Sequence, residues 1–237
     1  MRALVIHEGG RLVVEDRPVP EPAADQVLVR VTGAGINRAD LLQRAGRYPA
    51  PPGAPPDIPG LEFAGVVEAV GSAVTRPCAG DRVMGIVAGG GQAEYLVTAA
   101  SHCARVPETL DLVDAGGIPE AFITAHDAMI VQGGLMSGQT VLIHAVASGV
   151  GTAALQLAQC LGVTVAGTSR SKDKLERCVE MGLDHPVLAP SGFDAATLGA
   201  EITAAAGPVD VVGAERPGLH RRSSTTFPNV PSAATRS

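Results

Sequence analysis

The stretch Val141-Leu-Ile-His-Ala-Val-Ala-Ser-Gly-Val-Gly-Thr-Ala-Ala-Leu-Gln156 decides the fold. A short apolar, β-prone run leads into a Gly-x-Gly turn at Gly149 and Gly151, and a helical pattern begins at once. Apolar residues then recur at Val150, Ala153, Ala154, Leu157, Ala158 and Leu161, the spacing of one buried helix face. Strand, glycine turn and helix in that order turn a Gly-x-Gly-x-x-Ala string into a dinucleotide-binding hypothesis. Glycine lets backbone approach a pyrophosphate closely, and the helix N-terminus offers unpaired N–H groups and the positive end of its dipole. Gly149, Val150 and Gly151 are the candidate phosphate contacts, and Ser148 is suited to cap the helix.

Working outward, strands and helices alternate: strands at 140–144, 163–168, 186–188 and 209–212, helices at 150–161, 172–181 and 195–206. That is the pattern of a doubly wound parallel sheet. The first half has a different period. Short strands are expected at 3–7, 12–15, 26–34, 62–70, 82–86, 93–97 and 103–106, punctuated by Gly and Pro. Residues 37–44 suit a short helix capped by Asn37, and residues 108–115 and 119–131 read as helical. Tyr48-Pro-Ala-Pro-Pro-Gly-Ala-Pro-Pro-Asp57 is loop, because its prolines remove ladder donors and fix φ. The expectation is an α/β chain: a partly barrel-like β domain over 1–115 and a parallel dinucleotide domain over 116–212. Residues 213–237 lose all apolar periodicity and read as a disordered tail.

Composition narrows the function. The chain has 237 residues, 46% of them hydrophobic, with 3% aromatics and no Trp, so Val, Leu, Ile and Ala must fill the core. A net charge of −6 without a basic tract argues against nucleic acid. No apolar run reaches the ~18 residues of a membrane span, and the apolar stretch after Met1 is too short for a signal peptide, so a cytoplasmic protein is expected. Cys78, Cys103, Cys160 and Cys178 are scattered, without the paired spacing of a structural zinc site.

The strand after the glycine-turn helix ends Gly167-Thr-Ser-Arg-Ser-Lys-Asp-Lys174. An acid about 20 residues past the first glycine would hold the adenosine 2′-hydroxyl of NAD. None stands at this strand tip. Ser169, Arg170, Ser171, Lys172 and Lys174 can instead answer a 2′-phosphate, so NADPH is the expected cofactor; a solvated charged turn is the plainer reading.

Several motifs occur in one order: Asn37-Arg-Ala-Asp40, Arg44-Ala-Gly-Arg-Tyr48, Pro59-Gly-Leu-Glu-Phe-Ala-Gly65, Gly80-Asp-Arg-Val83, Gly91-Gln-Ala-Glu-Tyr95, Ile118-Pro-Glu120 with Thr124-Ala125, and His144-Ala-x-x-Ser-Gly-Val-Gly151. Together, over residues 1–212, they resemble the medium-chain dehydrogenase/reductase superfamily. Within it they are similar to the zinc-independent, zeta-crystallin-like quinone oxidoreductases. The resemblance implies a GroES-like first domain, an NADPH-binding Rossmann domain, and hydride transfer to a quinone or another conjugated carbonyl. It sets Ser148 beside the nicotinamide and pyrophosphate, Asn37 at the nicotinamide ribose or substrate, Tyr48 at the nicotinamide or substrate, and Thr124 behind the ring. Each residue also has a plainer reading, as helix cap, loop anchor and helix filler. His144, Glu62 and Glu120 read as structural.

The zinc enzymes of the superfamily carry Cys where Asn37 lies and Gly-His-Glu where Gly60-Leu-Glu62 lies. Asn37 and Leu61 cannot replace those ligands, and the four-cysteine loop is missing, so no metal is expected. Family members also continue with further strands that complete the sheet and supply a homodimer edge. Residues 213–237 resemble none of these, so a truncated chain with its dimer edge missing and its activity weakened is expected. An enoyl reductase and a non-catalytic NADPH-binding pseudoenzyme are the alternatives.

Overall fold

Strands of the first half sort by how deeply they lie. The structure, a computed structural model, describes residues 1–213. Strands β1 (Arg2–Ile6) and β2 (Leu12–Asp16) form an antiparallel hairpin, Val5 opposite Val13. Strands β3 (Gln26–Gly33), β4 (Glu62–Val70), β5 (Arg82–Ile86), β6 (Tyr95–Ala99) and β7 (Ala104–Arg105) make an antiparallel sheet in the order β6-β3-β4-β5-β7. Strands β5 and β6 alternate buried and part-buried residues, as one-sided burial dictates. The central strands are buried on consecutive residues, Val27–Val29 and Glu62–Gly65. Register shifts at Leu28/Val29 and Val31/Gly33 bend β3 against β4. An isolated bridge, Ala3 to Ala93, links the hairpin to this unit's remainder. Val27, Val29, Phe63, Val67, Val83 and Leu96 fill the core between the strands.

Helix α1 (Arg38–Arg44) starts where the Asn37 cap predicts. Helix α2 is shorter than expected, Leu112–Ala115. Asp111 caps it, its carboxylate accepting from Val113 N–H at 2.7 Å. The carbonyls of Glu108 and Leu110 are instead taken by the Arg82 guanidinium, which holds those residues in a turn. Helix α3 (Pro119–His126) runs into a wider turn at Asp127–Gln132, closed by Gly133 N–H bonding Ala128 O five residues back.

The chain divides into two units, Met1–Glu120 and the residues from Ala121 on. In the second, β8 (Thr140–Ile143), β9 (Thr164–Ser169), β10 (His185–Leu188) and β11 (Val211–Gly213) are parallel, in the order β10-β9-β8-β11. Helices α4 (Gly149–Leu161), α5 (Lys172–Glu180) and α6 (Ala195–Ala206) join them in turn. Both faces are covered. Ile143, Val165, Ala154, Leu155 and Leu175 pack on one side, Leu142, Ala166, Val187, Leu198 and Ile202 on the other. Chain order runs outward from β8 to β10, then reverses to β11, which makes β8 the switch strand of a doubly wound sheet. Gly213, expected to open the tail, instead closes β11 opposite Ile143, and the rest of that expectation, 214–237, lies outside the described residues. Among those described, no helix is long and apolar enough to cross a membrane.

Candidate functional site

The glycine turn follows the switch strand directly. Ser148 caps α4, its Oγ accepting from Gly151 N–H at 3.0 Å, while Thr152 N–H bonds Ser148 O at 2.8 Å. The N–H groups of Gly149 and Val150 open the helix without an intrahelical acceptor, as the first turn of any α-helix must. A side chain at Gly149 would meet nothing within 4 Å. One at Gly151 would put its Cβ 2.5 Å from Ala145 O and 2.6 Å from Val146 O, so only glycine lets the helix start this close beneath the turn. Ala145 completes the turn in the left-handed region, φ 51°, where an L-residue sits about 1–2 kcal/mol above its relaxed state. Nothing in the sequence marked Ala145, because alanine carries no preference for that conformation. The donor set of open N–H groups, a serine hydroxyl and a helix of 13 residues fits a dinucleotide pyrophosphate.

His144, at the strand end, is half-buried, and its Nδ1 lies 3.0 Å from Thr168 Oγ1. Burial holds its imidazole below the ordinary histidine range. The structural reading of His144 fits this geometry.

Ser169 ends β9, and Arg170, Lys172 and Lys174 are exposed after it. Ser169 Oγ accepts from Ser171 N–H at 3.3 Å, and Ser171 caps α5 through Lys174 N–H at 3.4 Å. Both hydroxyls keep a proton to donate. Lys172 reaches Glu176 at 3.9 Å along the helix. The acid nearest in sequence, Asp173, stands in the first turn of α5 rather than at the strand tip. Thr124 is exposed on α3.

In the first unit the residues singled out are held by carboxylates. Asp40 Oδ2 accepts from Asn37 N–H at 2.7 Å, and Asp40 N–H bonds the Asn37 main-chain carbonyl at 3.1 Å. Asp40 Oδ1 accepts from Gly60 N–H at 2.9 Å, which ties α1 to the chain leading into β4. Glu62, 2% exposed, accepts from Asn37 Nδ2 at 2.7 Å and from Glu120 N–H at 2.9 Å. Burial, then the charges of Glu62 and Asp40, push the Glu120 carboxyl above its usual range. Sequence reading named Glu62 and Glu120 as structural partners and did not single out Asp40; the Asn-x-x-Asp spacing of a capping box was the available signal. Tyr48 stands 39% exposed, ahead of the Pro-rich loop. That loop is fixed at its far end, where Asp57 Oδ2 meets Arg17 at 2.8 Å and its carbonyl accepts from Ile6 N–H at 2.7 Å. Among the described residues, no group of three or more His, Cys, Asp or Glu could hold a metal ion.

An antiparallel β unit joined to a parallel sheet with a glycine turn at its switch strand defines an α/β chain with a Rossmann-like second unit. Comparison with known proteins agrees. The alcohol dehydrogenase GroES-like domain matches residues 23–108. The synaptic vesicle membrane protein VAT-1 homolog of Rattus norvegicus is 38% identical over 193 residues, 79% of this chain and 47% of its own. The quinone oxidoreductase of Homo sapiens is 36% identical over 178 residues, 73% of this chain and 54% of its own. The chain thus spans about half the length of these curated relatives. Three solved structures share the fold. The CurK enoyl reductase has a TM-score of 0.78 at 29% identity, over 89% of this chain and 66% of that one. The quinone oxidoreductase of Thermus thermophilus, studied also in complex with NADPH, has 0.74 at 32%, over 90% and 65%. An NAD-dependent alcohol dehydrogenase has 0.76 at 31%, over 90% and 70%. The chain belongs to the medium-chain dehydrogenase/reductase superfamily, alongside its quinone oxidoreductases and VAT-1 homologues.

Proposed function

We propose that this chain carries the machinery of an NADPH-dependent oxidoreductase that reduces a quinone. The observation that carries the reading is the turn at the switch strand, where Ser148, Gly149, Val150 and Gly151 offer donors to a pyrophosphate. A bound nicotinamide dinucleotide supplies the hydride. The residues of this chain bind and orient. Ser169, Arg170, Ser171 and Lys174 favour the 2′-phosphate over a bare ribose, because charge-assisted hydrogen bonds are about twice as strong as neutral ones. Thr124 supports the nicotinamide, and Asn37 and Tyr48 contact its ribose or the acceptor. The Tyr48 phenol is a candidate donor of the proton that a reduced carbonyl oxygen requires. Asn37 and Leu61 stand where zinc ligands would be needed, so the proposed reaction uses no Lewis acid and suits acceptors that take a hydride without strong activation.

Steady-state NADPH oxidation by the 237-residue chain, with quinones and conjugated enones compared, tests the reading. Quinone reduction lost on changing Tyr48 or Asn37 supports it, and no NADPH binding refutes it. An enoyl reductase is the second reading, favoured by the similarity to the CurK enoyl reductase. Turnover confined to enones would select it.

A further inference from the structure

Two donors converge on one buried carboxylate. Glu62 Oε1 receives Asn37 Nδ2 at 2.7 Å, and Glu62 Oε2 receives Glu120 N–H at 2.9 Å. The carboxylate lies in a slot that only glycine leaves open: a Cβ at Gly35 would fall 2.0 Å from Glu62 Oε1. Gly35 is held there in turn, its N–H on Gly116 O at 2.7 Å and its carbonyl under Gln92 Nε2 at 2.9 Å. Glu62, 2% exposed, is thus packed close against the Gly35 backbone.

The chemistry of the pair explains the acid. A carboxylate offers acceptors at both ends, whereas a glutamine of the same shape offers one acceptor and one donor. The Glu120 N–H is main chain at the start of a helix and cannot turn over. The Asn37 amide can. An acceptor at Oε1 thus fixes the amide with nitrogen inward, and the opposite edge leads with Oδ1.

We propose that Glu62 is a positioning residue: it locks the Asn37 amide so that Asn37 meets its ligand as a hydrogen-bond acceptor. The group received is then a hydroxyl, of the class found on a ribose or on a reduced acceptor. The ligand half of this inference rests on the reading of Asn37 given above; the locking half rests on the protein alone.

The test is Glu62→Gln in the 237-residue chain, with and without Asn37→Ala. Glutamine keeps its oxygen on Glu120 N–H and turns its NH2 to Asn37, so the amide flips. In ligand-free protein, the side-chain amide signal of Asn37, identified by its loss in Asn37→Ala, should lose the downfield shift of a proton bonded to a carboxylate. NADPH dissociation constants, read by nucleotide fluorescence, should rise about tenfold in Glu62→Gln, the scale of one lost hydrogen bond. They should rise no further when Glu62→Gln is added to Asn37→Ala, where no amide is left to orient. A structural role for Glu62 would persist in that background, so equal effects in both backgrounds overturn the proposal. So does an unmoved amide signal. Glu62→Asp, which keeps the charge but withdraws it by one methylene, should reproduce the loss and stands in if the glutamine variant does not fold. An Asn37→Ala variant that binds NADPH normally refutes Asn37 as a ligand contact and leaves the locking decided by the amide signal.

Discussion

Two glycines two residues apart should respond oppositely to the same methyl group. At Gly151 the added Cβ would stand 2.5 Å from Ala145 O, 2.6 Å from Val146 O and 2.7 Å from Val146 C. The shortest of these is nearly 1 Å inside the 3.4 Å of ordinary contact, and all three are backbone. The turn cannot yield cheaply, because Ala145 already sits at φ 51°. Against fixed backbone this close, overpacking costs the upper part of its usual range, about 2–3 kcal/mol, and the gain in helix propensity over glycine, ~1 kcal/mol, offsets only part of it. Gly151→Ala should therefore lose about 1–2 kcal/mol in urea unfolding followed by circular dichroism. Gly149→Ala meets nothing within 4 Å, so it should be neutral or slightly stabilising. Its methyl would instead stand beside the open N–H groups and hold a phosphate off, raising the NADPH dissociation constant about tenfold, the scale of a lost charged hydrogen bond. Equal unfolding midpoints for the two variants would refute the packing argument. Unchanged NADPH affinity in Gly149→Ala would refute the phosphate reading.

Other consequences are independent of that turn. Replacing Arg170 and Lys174 by alanine should weaken NADPH by about 1.5–3 kcal/mol per well-formed contact and leave NADH nearly untouched, which parallel titrations will show. Glu120 has its pKa raised by burial first and by Glu62 and Asp40 next, so its folded value exceeds the unfolded 4.5. The folded state then holds the extra proton, and ionised Glu120 costs stability at neutral pH, a cost that fades as pH falls through the folded value. Glu120→Gln should raise the urea midpoint at neutral pH and lose that advantage below pH 4.5, where wild type is protonated in both states; a variant no more stable at neutral pH would contradict this. Elemental analysis should find no stoichiometric zinc, and one zinc per chain would overturn the acceptor chemistry proposed.

Much of the fold could be read from local pattern. Strands such as Arg82–Ile86 alternate cleanly, and Gly and Pro mark their ends. The Val141–Gln156 stretch carried its own strand, turn and helix in sequence order. Features that depend on partners distant in sequence were harder to see. The shortening of α2 needs Arg82, which lies 26 and 28 residues from the carbonyls it takes. The wide turn after α3 needs Gly133 bonded five residues back, against a pattern that reads as an unbroken helix. The candidate contacts of the second unit were legible for the same local reason, since a phosphate turn is built from consecutive residues. The bracing of Asn37 was not, because Glu62 lies 25 residues on and Glu120 another 58.

The central claim is that the chain binds a nicotinamide dinucleotide through the turn after β8 and prefers the phosphorylated form through the tip of β9. Its most direct test is a pair of equilibrium titrations of the 237-residue protein, NADPH and NADH, at one fixed ionic strength. NADPH should bind at least about tenfold tighter, the equivalent of one charge-assisted hydrogen bond. Equal affinities, or a preference for NADH, would contradict the claim.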